Sequence, residues 1–294
     1  MKLIAVVLSW NGREDTLRCL DSLRDVETIC VDNGSEDGSP EAVAERFPNV
    51  ELIENRENLG FAGGNNVGIR RALERGADWV WLVNNDAVAE PEAPEALAEA
   101  ARERPDAGVL ACKVFFAEPM NVLWYAGGDF HLLLGYSGRQ DGYGQRDDGR
   151  FERIRDVGRA TGAAMAVSRE AIEGVGLLDE DLFAYVEDVD WCLRIRAAGF
   201  GVVFVPAARL WHRVSASTGG RVSTTNLYYD TRNTLAVCER HRPLPPPFRG
   251  LRRSLVVGAH LVQAARQSNR RPATAAVLEG WRDFRRGRLG PRKP

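Results

Sequence analysis

Short apolar runs that end on polar turn formers recur through the first third of the chain. Leu3 to Leu8 gives way to Ser9-Trp10-Asn11-Gly12, Thr28 to Val31 to Asp32-Asn33-Gly34-Ser35, and Val50 to Ile53 to a polar stretch ending at Asn58. The clearest case is Trp79 to Val83, which stops at Asn84-Asn85-Asp86. Brief β-branched and aromatic runs bounded this way read as strands buried on both faces of a parallel sheet. Between them, Leu17, Leu20 and Leu23 recur at helical spacing, and Pro40 suits the first position of a helix capped by Ser39. Leu59 to Asn66 opens a further helix through Ile69, Ala72 and Leu73. Strand and helix alternate, which predicts an α/β fold with a mostly parallel sheet and right-handed crossovers.

Further along, the pattern is less regular. An Ala-rich helix is expected over 93–102, strands over 108–114, 161–167 and 200–205, and a mobile Gly- and Asp-rich loop over 135–148. Ser168 should cap a short helix through Ile172, and residues 187–198 and 226–238 read as helices. Leu244-Pro245-Pro246-Pro247 is a break. A main domain over 1–240 and a helical extension over 241–294 are therefore expected. In the extension, Leu251, Leu255, Val256, Leu261 and Val262 form an apolar stripe beside Arg252, Arg253, Arg266, Arg270 and Arg271. Val277, Leu278, Trp281 and Phe284 follow, again among arginines.

Charge sharpens this division. The net charge is -2, yet from Arg240 onward about 14 Lys and Arg meet only Glu279 and Asp283. A basic amphipathic extension with aromatics suits an anionic membrane surface. The alternative is a helical pair packed on the main domain with its arginines in water. No nucleic-acid partner is expected. The five cysteines are scattered, with no C-x-x-C pair, so neither a zinc site nor a disulfide framework is indicated. The opening MKLIAVVLSWNG turns polar too soon for a signal peptide, and no run reaches the roughly 18 apolar residues of a spanning helix. A reducing cytoplasm is expected, with peripheral contact at the inner face of the membrane.

Ligands of open α/β sheets bind beyond the carboxyl ends of the strands, so the polar loops there can line one crevice. G-x-G-x-x-G does not follow the first run and G-x-x-x-x-G-K-[ST] is absent, which argues against a dinucleotide site or a P-loop. Asp86 is placed to hold a divalent cation through oxygen, although Asn84-Asn85-Asp86 also suits a plain turn. Acids at 179, 180, 181, 187, 188 and 190 crowd into one short stretch. Like charges so close repel unless a metal, a cationic substrate group or a proton offsets them. Carboxylates in the first turn of a helix also complement its dipole, so a structural role stays open. His212, next to Trp211, is by itself more readily a packed side chain than a ligand.

Taken together, VVLSWNG, VDNGSEDGS, NLGFAGGNN, LVNNDA, GAAMAVSREAIEGVGLLDEDLFAYVEDVDWCLRIRAAGF and WH resemble, in this order, the blocks of glycosyltransferase family 2, most closely its bacterial rhamnosyltransferase-like members. The resemblance covers about residues 2–235. It implies the GT-A fold, a nucleotide-diphospho-sugar donor, Mn2+ or Mg2+, and inversion at the anomeric carbon. It also implies that Ser9, Trp10 and Asn11 hold the nucleotide, with Trp10 beside the base, that Asp32 hydrogen-bonds the base, and that Asn65 closes the nucleotide side. Asn84-Asn85-Asp86 stands where the family has Asp-x-Asp. Asp86 would bind the metal, with Asn84 in place of the first acid. Glu187-Asp188 matches the acidic pair that supplies the catalytic base, assigned here to Asp188, and His212 matches a position that often ligates the metal.

The expected function is an inverting hexosyl transfer to a hydroxyl of a glycan, a lipid-linked precursor or a metabolite. dTDP-rhamnose is the favoured donor and a UDP-sugar the alternative. A cation on Asp86 would stabilise the departing diphosphate, while Asp188 takes the acceptor's proton and Glu187 or Asp190 orients the acceptor or backbone. Two rivals are a non-catalytic nucleotide-sugar-binding protein, which would keep the nucleotide loops and lose the base, so that Asp188 counts against it, and a sugar nucleotidyltransferase, which shares the sheet-and-metal logic. The latter usually carries a basic Gly-rich loop where Ser9-Trp10-Asn11-Gly12 stands.

Overall fold

In the computed structural model, which describes residues 1–137, 140–213 and 223–293, strands form where the apolar runs lie. β1 (Leu3–Ser9), β2 (Glu27–Asp32), β3 (Glu51–Glu54) and β4 (Trp79–Asn84) alternate with α1 (Arg13–Ser22), α2 (Ser39–Arg46) and α3 (Gly60–Glu74). They pair in parallel in the order β3-β2-β1-β4. Ile4 to Val7 of β1 are fully buried, as a run covered on both faces requires. α3 lies against this sheet because its facing residues are small: a Cβ on Gly68 would come within 2.3 Å of Val6 Cγ1. One local expectation changes. Ser39 is the first residue of α2 rather than its cap, because Gly38 ahead of it takes a left-handed φ of 77°. The Asp37 carboxylate accepts from the Ser39 backbone and hydroxyl instead.

The second half widens the sheet. β5 (Ala87–Ala89), α4 (Ala93–Glu103), β6 (Ala107–Phe116), β7 (Leu123–Tyr125), β8 (Phe130–His131), β9 (Tyr136–Ser137) and β10 (Arg155–Asp156) come first. β11 (Ala164–Ser168), α5 (Arg169–Val175), α6 (Glu187–Ala197) and β12 (Gly201–His212) follow. β11 inserts antiparallel between β4 and β6, and β12 runs parallel to β6. β12 was expected to stop before Pro206 but continues to His212. The ladder with β6 slips between Val205 and Arg209, and a bulge there accommodates a residue with no N–H. Pairing resumes as far as His212 opposite Phe116. The expected mobile loop is also corrected where it is described. Backbone bonds tie Asp141 to Gly127 and Gln145 to Leu123, so residues 140–145 are knitted to β7 and its exit.

α7 (Thr224–His241), α8 (Pro246–Ala265) and α9 (Arg270–Arg285) pack on one another around Leu227, Tyr228, Ala264, Ala273, Ala276 and Val277. The proline-rich break is a short irregular link, with Pro246 in the first turn of α8 where a missing N–H costs nothing. Val256 points inward, while Leu251, Leu255 and Val262 stay exposed. Among the described residues, no helix is long and apolar enough to cross a membrane.

Candidate functional site

The loops at the carboxyl ends of the parallel strands are built from side chains that hydrogen-bond one another. Ser9 Oγ lies 2.8 Å from Thr16 Oγ1, and Asn85 Nδ2 donates to the same Thr16 oxygen at 3.0 Å. This joins the end of β1, the first turns of α1 and the turn after β4. Asn11, at a left-handed φ of 50°, donates its N–H to Ser35 Oγ and accepts from the N–H of Glu36, bridging the β1 and β2 loops. Trp10 between them is 51% exposed, which leaves its ring free for a ligand to stack on.

Asp32 is buried at the end of β2. Its Oδ2 accepts from the N–H groups of Gly34 and Ser35, while Oδ1 has no partner. A buried carboxylate oxygen left unmet is costly unless a ligand donor reaches it. Asn65 is buried on α3, and its Nδ2 donates to Phe61 O. Two neighbours that sequence reasoning passed over do more structural work. Asn33 joins Asn55, Asn58, Leu59 and Gly60, welding the β2 loop to the start of α3. Asn66 exchanges two bonds with Leu178 and one with Glu180, linking α3 to the acidic segment. The available signals were the Asn of VDNGSEDGS and the density of Asn in NLGFAGGNN.

At the tip of β4, Asp86 Oδ1 lies 2.8 Å from His212 Nε2. Asp86 Oδ1 is buried, and neither it nor His212 Nδ1 has a hydrogen-bond partner. The continuation of β12 beyond its bulge brings His212 here, paired with Ala87 and with its ring edge-on to Trp124 at 4.8 Å. Asn84 Nδ2 is 3.5 Å from His212 Nε2. A carboxylate oxygen and an imidazole nitrogen that converge this closely fit a shared Mn2+ or Mg2+. Among the described residues, no three His, Cys, Asp or Glu side chains converge. Such a cation would complete its shell with water and phosphate oxygens, as hard divalent ions do. Arg213 closes the corner, its N–H on Asp86 O and its guanidinium 3.0 Å from Asp15. Residues 214–222 lie outside the described ones.

The acidic pair sits one strand away. Asp188, half-buried in the first turn of α6, accepts from Gly162 N at 2.9 Å and from Val189 N at 2.7 Å. Gly162 precedes β11, and its neighbour Ala163 accepts from Asn84 N at 3.0 Å. Two hydrogen-bonded steps therefore connect the Asn84-Asn85-Asp86 turn to Asp188. Glu187 is buried, and burial followed by the charge of Asp188 pushes its carboxyl well above the usual range.

Asp190 is corrected. It is fully buried and bound by Arg194, Arg240 and His241, so it does not face an acceptor, and it acts on the backbone only through Arg194, which donates to Val175 O and Leu177 O. Burial pushes its carboxyl up, but the hydrogen bonds from His241 and Arg194 outweigh this and hold it at about 2. Repulsion in the acidic stretch is relieved largely from within the chain. Asp179 meets Arg240, Glu180 meets Arg70, and burial pushes the Glu187 carboxyl toward its neutral form.

The family profile described as glycosyl transferase family 2 matches residues 4–176. The chain is similar to N-acetylglucosaminyl-diphospho-decaprenol L-rhamnosyltransferase of Mycobacterium tuberculosis (strain ATCC 25618 / H37Rv). The two are 31% identical over 271 residues, covering 84% of this chain and 87% of that one. It is 25% identical over 256 residues to dTDP-rhamnosyl transferase RfbF of Shigella flexneri, covering 82% of each. Its fold resembles that of mannosyltransferase PcManGT from Pyrobaculum calidifontis in complex with GDP-Man and Mn2+. There the TM-score is 0.57 at 20% identity, covering 94% of this chain and 73% of the other. S. aureus TarS 1-349 in complex with UDP-GlcNAc gives 0.59 at 14% identity, covering 97% and 81%.

Proposed function

We propose, since this chain belongs to glycosyl transferase family 2, that it moves rhamnose from dTDP-rhamnose to a hydroxyl of a lipid-linked glycan acceptor, with inversion. The fold is GT-A, and the chain is a transferase of nucleotide-activated sugars. The choice of donor and acceptor draws on the similarity to the two rhamnosyltransferases, one of which is named for a decaprenol-linked substrate. The observation that carries the chemistry is the close meeting of the buried Asp86 Oδ1 and His212 Nε2 at 2.8 Å, two hydrogen-bonded steps from Asp188.

In this reading Trp10 stacks on the thymine and the free Asp32 Oδ1 accepts the N–H of its ring. Ser9, Asn11, Asn65, Asn84 and Asn85 shape the loops that surround the nucleotide. Asp86 and His212 hold Mn2+ or Mg2+. When bound, the ion supplies Lewis-acid stabilisation of the charge that develops on the departing diphosphate. The acceptor oxygen attacks the anomeric carbon as the bond to the diphosphate oxygen breaks. Asp188 takes the acceptor's proton, with its lone pairs aimed by the N–H groups of Gly162 and Val189. Glu187 beside it is buried, and burial favours its neutral form, which limits the charge repelling Asp188. A single displacement inverts the centre and needs no covalent enzyme intermediate.

Residues 1–240 act in this reading as the catalytic domain and 241–294 as a basic extension that meets an anionic bilayer, where a lipid-linked acceptor resides. Phe248, Leu251, Leu255 and Val262 expose an apolar face on α8, and among the described residues Arg266, Arg270, Arg271, Arg282, Arg285 and Arg286 have no carboxylate partner. The test is transfer from a panel of dTDP- and UDP-sugars, with Mn2+, to a short-chain N-acetylglucosaminyl-diphospho-prenol. Rhamnosylated product of inverted configuration is expected from dTDP-rhamnose. Retention of configuration, or nucleotide binding without transfer from any donor, would refute the proposal.

A further inference from the structure

The backbone just ahead of α6 takes a conformation that side chains avoid. Phe183 (φ 64°), Tyr185 (φ 66°) and Val186 (φ 72°) all lie in the left-handed region, and for a β-branched residue such as Val186 this is a true outlier. Strain of this kind persists only where surrounding structure over-determines it. The strained segment is also the entry to the helix that carries Glu187 and Asp188, with Val186 as its N-cap.

One buried amide faces this segment. Asn233 on α7 is fully buried, and its Nδ2 lies 2.8 Å from Leu182 O, 2.9 Å from Ala184 O and 2.8 Å from Tyr185 O. Its Oδ1 accepts from Arg232 Nε at 2.9 Å, which fixes the end of the amide that meets the loop. Arg232 is fully buried too, with no carboxylate partner among the described residues. Its guanidinium donates to Leu182 O at 3.1 Å and to Gly290 O at 2.7 Å, and lies over the rings of Tyr228 and Tyr229. The Gly290 N–H in turn donates to Asp181 O at 2.6 Å, and Phe183 stacks on Tyr229. On the loop's other side, Phe183 O accepts from Ala62 N of α3 at 3.1 Å. The segment is thus gripped between the nucleotide-side helix and a clamp made of α7 and the C-terminal tail.

We infer that Asn233, oriented by Arg232 and backed by the tail at Gly290, is the positioning residue that aims Asp188 at the acceptor. The inference rests on the proposed role of Asp188 as base. It gives the C-terminal segment a part in catalysis that is separate from any contact with a membrane. Asn233→Asp keeps the volume and an oxygen for Arg232 but presents no N–H to the three carbonyls, while Asn233→Ser keeps one donor.

The experiment uses full-length wild type and both variants. It measures rhamnosyl transfer to the prenol-linked acceptor, dTDP affinity with Mn2+ by calorimetry, and amide hydrogen exchange. Asn233→Asp should lower kcat about a hundredfold, the order that a 1 Å misplacement costs. Asn233→Ser should lose less. dTDP affinity should stay within about twofold of wild type. Exchange should accelerate at residues 184–189 and not at 82–86. Unchanged kcat in a folded variant, or kcat and dTDP affinity falling together, would overturn the inference. If Asn233→Asp does not fold, the serine variant decides on the same split. Wild type that transfers no sugar refutes the transferase reading instead, and exchange at 184–189 still reports on the clamp because it needs no turnover.

Discussion

Replacing Asp188 by asparagine removes a proton acceptor while keeping its shape. The native carboxylate accepts from Gly162 N through Oδ2 and from Val189 N through Oδ1, at 2.9 and 2.7 Å. Asparagine has one oxygen, so one of those N–H groups must face an NH2 group. An unmet buried donor costs about 1–3 kcal/mol, and because Asp188 is only half-buried the loss belongs at the lower end, about 1 kcal/mol. A chain of this size should then lose about 1.5–2 °C in Tm. The kinetic loss is larger. A positioned general base contributes about 10²–10⁴ in rate, or about 3–5 kcal/mol of barrier. The variant should therefore fold, bind dTDP with Mn2+ as wild type does, and turn over at least about a hundredfold more slowly. Calorimetry reads the binding and a transfer assay reads the turnover. Near-wild-type turnover in the folded variant removes Asp188 as base. Parallel loss of binding and turnover would move Asp188 to the donor side.

Asp86→Ala should abolish the part of dTDP affinity that depends on Mn2+; identical affinity with and without the metal in wild type would disprove the cation site. Glu187 has its folded-state carboxyl raised by burial and by Asp188, so it favours folding when protonated. That contribution is complete below the usual carboxyl value of 4.5 and fades as pH rises toward the folded value. Glu187→Gln, fixed in the neutral form, should melt progressively above wild type as pH rises from 4.5 and then hold a constant gap; parallel melting curves across pH would contradict this. Gly68→Ala places a Cβ 2.3 Å from Val6 Cγ1 and should destabilise by about 1–3 kcal/mol, read by chemical denaturation, and an unaffected midpoint would mean that α3 can lift off the sheet. Vesicles containing phosphatidylglycerol should sediment the protein more strongly than phosphatidylcholine vesicles, and Leu251→Ser with Leu255→Ser should halve that difference or better; equal sedimentation with both lipids would remove the membrane contact.

The parallel half could be read because its strands are covered on both faces. Such strands must be apolar runs, and the loops they feed announce themselves by Asn, Asp and Gly. The second half resists the same reading for identifiable reasons. Pro206 looks like a strand terminator, and only the bulge opposite β6 shows how β12 passes it to deliver His212. Asp190 looks equivalent to Asp188 in the sequence. Arg194, four residues on along α6, is a partner that the sequence could offer, but Arg240 and His241 come from α7 and carry no local signature. The compensation of Asp179 by Arg240 and of Glu180 by Arg70 is hidden in the same way. Crowded carboxylates in a sequence are thus weak evidence for a metal until the arginines that fold against them are known.

The direction of one strand explains why the site holds together. Had β11 joined β4 in parallel, its start would lie at the opposite end of the sheet, and Gly162 with it. Being antiparallel, it begins where β4 ends, with Ala164 opposite Val83. The residues just before it therefore reach the Asn84-Asn85-Asp86 turn, and Asp188 reaches Gly162. β12 serves the other side, since its length beyond the bulge brings His212 level with Ala87, one residue past Asp86. The loops proposed to hold the donor come from the parallel half, whereas the imidazole and Asp188 are delivered by the half added after it. A perturbation that shifts β11 by one residue would flip its side chains and separate the two carboxylates, with every side chain of the site still present.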